Sequence, residues 1–149
     1  MDLNFYKNNG WVHILDVVPN EIVTELRKRV IKLRKWVDDK QGQPSEFGPL
    51  FHFKPHTDNT AGGNLNEGGN TVNMCVILDD FTDENGTLQI KDTRVYPKAG
   101  DIVAIHGDTP HQSEPNKSDN PRCLYACVYS SEKIVFQNFY QTQFKQNLL

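Results

Sequence analysis

"TVNMCVILDDFTDENGTLQIKDTRVYPKAGDIVAIH", residues 71–106, sets short apolar runs between clusters of turn-forming residues. TVNMCVIL (71–78), TLQI (87–90), TRVY (93–96) and DIVAIH (101–106) read as strands, and DENG (83–86) and PKAG (97–100) as turns. Downstream, HGDTP (106–110) and NKSDNP (116–121) mark two more turns, and RCLYACVYS (122–130) and KIVFQNF (133–139) two more strands. Upstream, LFHF (50–53) and the loosely alternating WVHILDVV (11–18) are also strands. Between those two the pattern changes. From Asn20 to Val37 the residues Val23, Leu26, Val30, Leu33 and Val37 recur every three or four positions, which predicts a helix with one apolar stripe. Pro19 suits its first turn, and DDKQGQPSEFGP (38–49) reads as the loop that ends it. A helix followed by many short strands is a mainly β chain with an N-terminal helix. A jelly roll, two four-stranded sheets facing each other, fits the count.

The length of 149 residues suits one domain, 1–149, large enough for its own core. A net charge of −3 and a pI near 5.9 offer no basic footprint for nucleic acid. The one basic cluster, RKRVIKLRK (27–35), reads as a solvated helix face. Cys75, Cys123 and Cys127 are odd in number and irregular in spacing, so free thiols in a reducing cytoplasm are expected rather than a disulfide framework. No N-terminal run has the look of a signal peptide, and no stretch is apolar enough to span a bilayer, so no membrane partner is expected. The number of subunits is not readable from the chain.

H-x-D occurs twice, as His56-Thr57-Asp58 and as His106-Gly107-Asp108. On a strand, i and i+2 point the same way, so His56 and Asp58 can converge on one ion. His111, after the strand DIVAIH and the turn GDTP, is the candidate third ligand. Two histidines and a carboxylate suit non-haem Fe(II), because three adjacent coordination positions stay open. The second H-x-D contains a glycine and precedes Thr-Pro, so it reads as a turn in which alternation does not hold. His13 and His52 have no partner pattern. The loop 59–70, NTAGGNLNEGGN, costs backbone entropy to order, and it is either a plain connector or a lid over a ligand. Asn73, among apolar neighbours, needs a partner if buried. Phe53 is core or the wall of a site.

The segment GDIVAIHGDTPHQSEPNKSDNPRCLYACVYS (100–130), with HTD upstream, resembles the Fe(II)/2-oxoglutarate-dependent oxygenases, and most of all their phytanoyl-CoA dioxygenase-like branch. The carrying residues are His111, Ser113, Asn116, Ser118 and Arg122, in an H-x-S-x-x-N-x-S-x-x-x-R stretch. VNMCVILDDFTDENGTLQI (72–90) and FYKNNGWVHILDVVPNEIVTELRKRV (5–30) are similar to the family's central and N-terminal segments. The resemblance implies a double-stranded β-helix of the cupin-like jelly-roll kind. It implies Fe(II) on His56, Asp58 and His111, with 2-oxoglutarate and O₂ as co-substrates. Arg122 and Ser113 would hold the far carboxylate of 2-oxoglutarate, Asn73 would reach its near carboxylate, and Phe53 would wall it. A planar guanidinium suits that task because it grips a carboxylate with two parallel bonds.

The implied reaction is hydroxylation of an unactivated C–H, with 2-oxoglutarate leaving as succinate and CO₂. Larger relatives carry a long insert after the strand that here ends at Ile90. Its absence implies an open pocket and a small-molecule or carrier-bound substrate. The abbreviated layout is also that of prolyl-hydroxylase-type relatives, so a peptide substrate is an alternative. A cupin-type metal protein that does not turn over 2-oxoglutarate is another.

Overall fold

The computed structural model describes residues 2–41, 55–59 and 71–131. Helix α1 (Leu3–Asn9) leads into strand β1 (Trp11–Ile14) and helix α2 (Asn20–Gln41). Among the described residues six strands follow: β2 (Thr71–Ile77), β3 (Leu88–Ile90), β4 (Thr93–Val95), β5 (Ile102–His106), β6 (His111–Ser113) and β7 (Leu124–Ser130). One sheet has the order β1-β5-β2-β7 and the other β4-β3-β6, with antiparallel pairing throughout. The expected mainly β architecture with an N-terminal helix is present. The strands expected at 50–53 and 133–139 lie outside the described residues.

The core forms where the two sheets face each other. Cys75, Ile77, Val103 and Ile105 from the four-stranded sheet meet Leu88, Ile90 and Val95 from the other, with Phe81 beside them. Ile77, Ile90, Val103 and Ile105 are fully buried. Each contributes on the order of 1.5–3 kcal/mol by leaving water. Alternation along β2 decides which side chains go there. Thr71, Asn73, Cys75 and Ile77 share the inner face, and Val76 points the other way, onto α2.

Helix α2 covers that outer face with Val23, Leu26 and Val30, which pack near Leu78 and Cys123. The apolar stripe is narrower than its spacing predicts, because Leu33 is 54% exposed. The helix is also longer, reaching Gln41, so residues 38–41 are helix rather than loop. The apolar repeat stops at Val37, but Asp38, Asp39, Lys40 and Gln41 include no glycine or proline to break the backbone pattern. Asp79 ties the helix to the sheets: Arg27 Nε donates to Oδ1 at 2.6 Å, and the Cys123 amide donates to Oδ2 at 2.8 Å.

α1 is absent from the sequence expectation, since seven residues cannot display a stripe. Its ends explain it. The Asp2 carboxylate accepts from the Phe5 amide at 2.9 Å, and Gly10, with φ of 78°, closes the other end by donating to the Tyr6 carbonyl. Between β1 and α2 the chain is tied to the turn before β5: the Asp101 carboxylate accepts from His13 Nε2 at 2.7 Å and from the amides of Asp16 and Lys98, each at 2.8 Å. Burial alone would raise this carboxyl; the Lys98 and Asp16 amides and the His13 imidazole together outweigh it and hold the group below its ordinary value. His13 therefore has a partner that no spacing in the chain announces.

Candidate metal centre

β6 is three residues long and carries no apolar alternation, yet it organises the site. It pairs with β3, with His111 opposite Ile90 and Ser113 opposite Leu88. Its first residue also forms an isolated antiparallel bridge with His56. The His56 amide donates to the His111 carbonyl at 3.1 Å, and the His111 amide donates back at 2.9 Å. Two residues that exchange both bonds stand directly opposite, with side chains on one face. The two imidazoles accordingly lie with centroids 4.4 Å apart, tilted by 54°.

Asp58 completes the group by a different route from the one its spacing suggests. Only His56 is bridged, and Asp58 sits in a turn, so strand alternation does not aim it. The aim comes from β2, where Asn73 Nδ2 donates to Asp58 Oδ2 at 3.1 Å. Oδ1 is left toward the histidines, 3.7 Å from Nε2 of His56 and 3.7 Å from Nε2 of His111. One ligand atom from each of the three residues lies within 4.8 Å of the others. At 3.7 Å these atoms are too far apart for hydrogen bonds, yet a cation about 2.0–2.2 Å from each would reach them all. Two imidazoles and a carboxylate are a donor set that fits Fe(II). His111 is buried, and its Nδ1 pairs with the Thr109 carbonyl at 3.0 Å. The carbonyl can only accept, so Nδ1 carries the proton and Nε2 is left free to ligate.

Ser113 is buried on the same face of β6 as His111. Beyond it the chain turns through Asn116, whose Oδ1 accepts from the amide and hydroxyl of Ser118 at 2.9 and 2.8 Å and whose Nδ2 donates to the Asn120 carbonyl at 2.7 Å. These two residues of the H-x-S-x-x-N-x-S-x-x-x-R stretch fold the loop that returns Arg122 to the barrel. The Arg122 guanidinium lies 4.9 Å over the Phe81 ring. Among the described residues, its hydrogen bonds all leave from Nη1, to the carbonyls of Asn85, Gly86 and Glu114. Loss of water around it pulls its pKa below the usual arginine value.

Asn73 faces the interior as a residue needing a partner should, and the partner is Asp58; its own amide oxygen accepts from Cys75 Sγ at 3.7 Å. Phe53, His52 and positions 60–70 of the loop 59–70 lie outside the described residues. Thr109 and Phe81 went unnoticed in the sequence, because a backbone acceptor and an aromatic platform leave no motif. Cys75, Cys123 and Cys127 are free, as expected, and burial pushes the first two thiols up to about 12 and about 11. Among the described residues no helix is long and apolar enough to cross a membrane.

Several solved structures share this architecture. The non-heme alpha ketoglutarate dependent carbocyclase SnoK from nogalamycin biosynthesis matches with a TM-score of 0.72 at 19% identity, over 96% of this chain and 88% of that one. EvdO2 from Micromonospora carbonacea var. aurantiaca, complexed with 2-oxoglutarate, matches at 0.65 and 15%, over 91% of this chain and 92% of the other. HygX from Streptomyces hygroscopicus, with nickel and 2-oxoglutarate bound, matches at 0.60 and 13%, over 86% and 85%. At these identities the likeness speaks to the fold, a jelly roll. No curated protein matches the sequence. The family model described as the 2OG-Fe(II) oxygenase superfamily matches residues 42–130, more than half of the chain. With that match spanning both histidines, Asp58 and Arg122, the chain belongs to the 2OG-Fe(II) oxygenase superfamily.

Proposed function

We propose that this protein is an Fe(II)- and 2-oxoglutarate-dependent dioxygenase that hydroxylates an unactivated C–H of a small-molecule or carrier-bound substrate and releases succinate and CO₂. The observation that carries the reading is the convergence of His56, Asp58 and His111, with ligand atoms within 4.8 Å of one another. These three residues would hold Fe(II), and Arg122 with Ser113 would hold 2-oxoglutarate. Bound there, the iron would supply the redox chemistry that couples decarboxylation of 2-oxoglutarate, in the presence of O₂, to oxidation of the substrate.

The chain's own residues have separate tasks in this reading. Thr109 keeps the His111 proton on Nδ1. Asn73 occupies one Asp58 oxygen and leaves the other for the ion. Ser113 lies on the His111 face of β6, and the Glu114 carbonyl just beyond it holds Arg122, so the strand leads from the ligand end to the arginine. An arginine half-withdrawn from water attracts a carboxylate more strongly than one in bulk solvent. We place the chain in the phytanoyl-CoA dioxygenase-like branch on the strength of its HTD and HQSEPNKSDNPR stretches. Three free cysteines support a cytoplasmic setting, and the acidic balance argues against a nucleic-acid partner.

The test is to add Fe(II) and then 2-oxoglutarate without oxygen, and to follow the weak visible charge-transfer band. Admitting air should then release succinate. We expect both signals from the native chain and neither from Asp58→Ala. A native chain that gives neither, or a variant that keeps both, would overturn the proposal.

A further inference from the structure

The second H-x-D stays outside the ligand cluster, but it grips the segment that carries the first. Asn59, directly after Asp58, is 2% exposed. Its Nδ2 donates to Oδ1 of Asp108, and its Oδ1 accepts from the Thr71 hydroxyl at 2.7 Å. Its amide donates to the Gly107 carbonyl at 3.0 Å, and the Gly107 amide donates to the Thr71 carbonyl at 2.9 Å. Gly107 is needed for this fit: a Cβ there would stand 1.9 Å from the Thr71 hydroxyl and 2.6 Å from Asn59 Oδ1. Thr71 and Asn73 share one face of β2. That face therefore holds the Asp58 carboxylate through Asn73 and the next residue through Thr71.

The same turn reaches the other ligand. The Asp108 amide donates to His106 Nδ1 at 3.2 Å, and the Thr109 amide donates to the His106 carbonyl at 2.8 Å. The Thr109 carbonyl in turn receives the His111 Nδ1 proton. Residues 106–109 thus stand behind Asp58 on one side and behind His111 on the other.

We infer that Asn59 and Asp108 are positioning residues of the metal centre, setting the turn that aims Asp58 at the two imidazoles without touching the ion. The inference rests on His56, Asp58 and His111 being the ligands. The chemistry is specific. Asn59 supplies a donor, Nδ2, to the Asp108 carboxylate and an acceptor, Oδ1, to the Thr71 hydroxyl, and its side-chain amide carries the two on separate atoms. Aspartate at position 59 would face Asp108 with like charge. Asparagine at position 108 would still present an oxygen to Asn59 Nδ2.

The experiment titrates metal-free protein with Co(II), whose visible bands report ligand number and geometry. It is run on the native chain, Asp58→Ala, Asp108→Ala, Asp108→Asn, Asn59→Asp and the core variant Val95→Ala, well below every melting temperature. Loss of a direct hydrogen-bond partner of a ligand costs roughly tenfold to a hundredfold in metal affinity, and one step further out the loss falls at the low end, about tenfold. We expect that loss, with altered Co(II) bands, for Asp108→Ala and Asn59→Asp. Asp108→Asn should bind close to the native chain, and Val95→Ala should melt lower yet bind normally. If Asp108→Ala does not fold, Asn59→Asp against Asp108→Asn makes the same comparison. Native binding that is lost in Asp58→Ala but unchanged in Asp108→Ala and Asn59→Asp would overturn this inference alone. A native chain that does not bind Co(II), or an Asp58→Ala chain that binds it as the native does, would overturn the ligand assignment and this inference with it.

Discussion

At the histidine end of the site, a side chain holds the carboxylate, the Thr109 carbonyl holds the His111 ring, and a backbone bridge pairs the two histidines. Asn73 grips Asp58, and His56 faces His111 across paired amides and carbonyls. At the arginine end, the guanidinium is held by main-chain carbonyls of Asn85, Gly86 and Glu114 and rests on Phe81. The hold on Asp58 can be altered by one side-chain substitution. The hold on Arg122 depends on the path of two loops, and a substitution there acts through the backbone.

The largest effect that would separate the two ends is at Arg122. For Arg122→Ala we predict a loss of roughly a hundredfold in 2-oxoglutarate affinity at saturating metal, within the 2–5 kcal/mol that an unpaired charge partner typically costs. Metal affinity measured without 2-oxoglutarate should stay native. Arg122→Lys should lie between, since it keeps charge but loses the fork. A parallel fall in metal affinity would show that the ends are not independent.

Gly86→Ala comes next. Its φ is 85°, and a Cβ would stand 2.5 Å from Arg122 Nη1 and 2.2 Å from the Glu114 carbonyl. Strain of about 2 kcal/mol corresponds to roughly thirtyfold. We predict that this appears in 2-oxoglutarate affinity, together with a lower melting temperature. Native affinity in this variant would mean that the carbonyl cage does not set the guanidinium.

The smallest expected effect is at Asn73. Asn73→Ala should lower Co(II) affinity by about tenfold, the low end for an outer partner of a ligand. Binding of 2-oxoglutarate at saturating metal should not change. The reverse pattern would put Asn73 on the co-substrate rather than on Asp58.

The same contrast governs what could be read from the chain. β2, β5 and β7 begin and end within two residues of their apolar runs, because those runs extend over five to seven positions and turn-forming residues bound them. β6 has only His111, Gln112 and Ser113, and it is a strand because β3 and His56 bond to it. No local pattern encodes that. The clustering of His56, Asp58 and His111 could be anticipated because metal chemistry restricts the residue types. The manner of their support could not be. Asp58 is aimed by a residue fifteen positions away, and Arg122 is held by carbonyls that any residue supplies. Helix α2 shows the converse, since its apolar period stops before its hydrogen bonding does, and Leu33 keeps the period while facing water.

The reciprocal amide–carbonyl pair between His56 and His111 has a consequence for how the centre fills. The polypeptide ladder sets the ring spacing, so in the proposed reading two of the three donors stand in register through the backbone alone. An arriving cation need recruit only a carboxylate that Asn73 has already turned inward. Loading should therefore resemble docking into a finished socket, and stripping the metal with a chelator should leave the sheets folded.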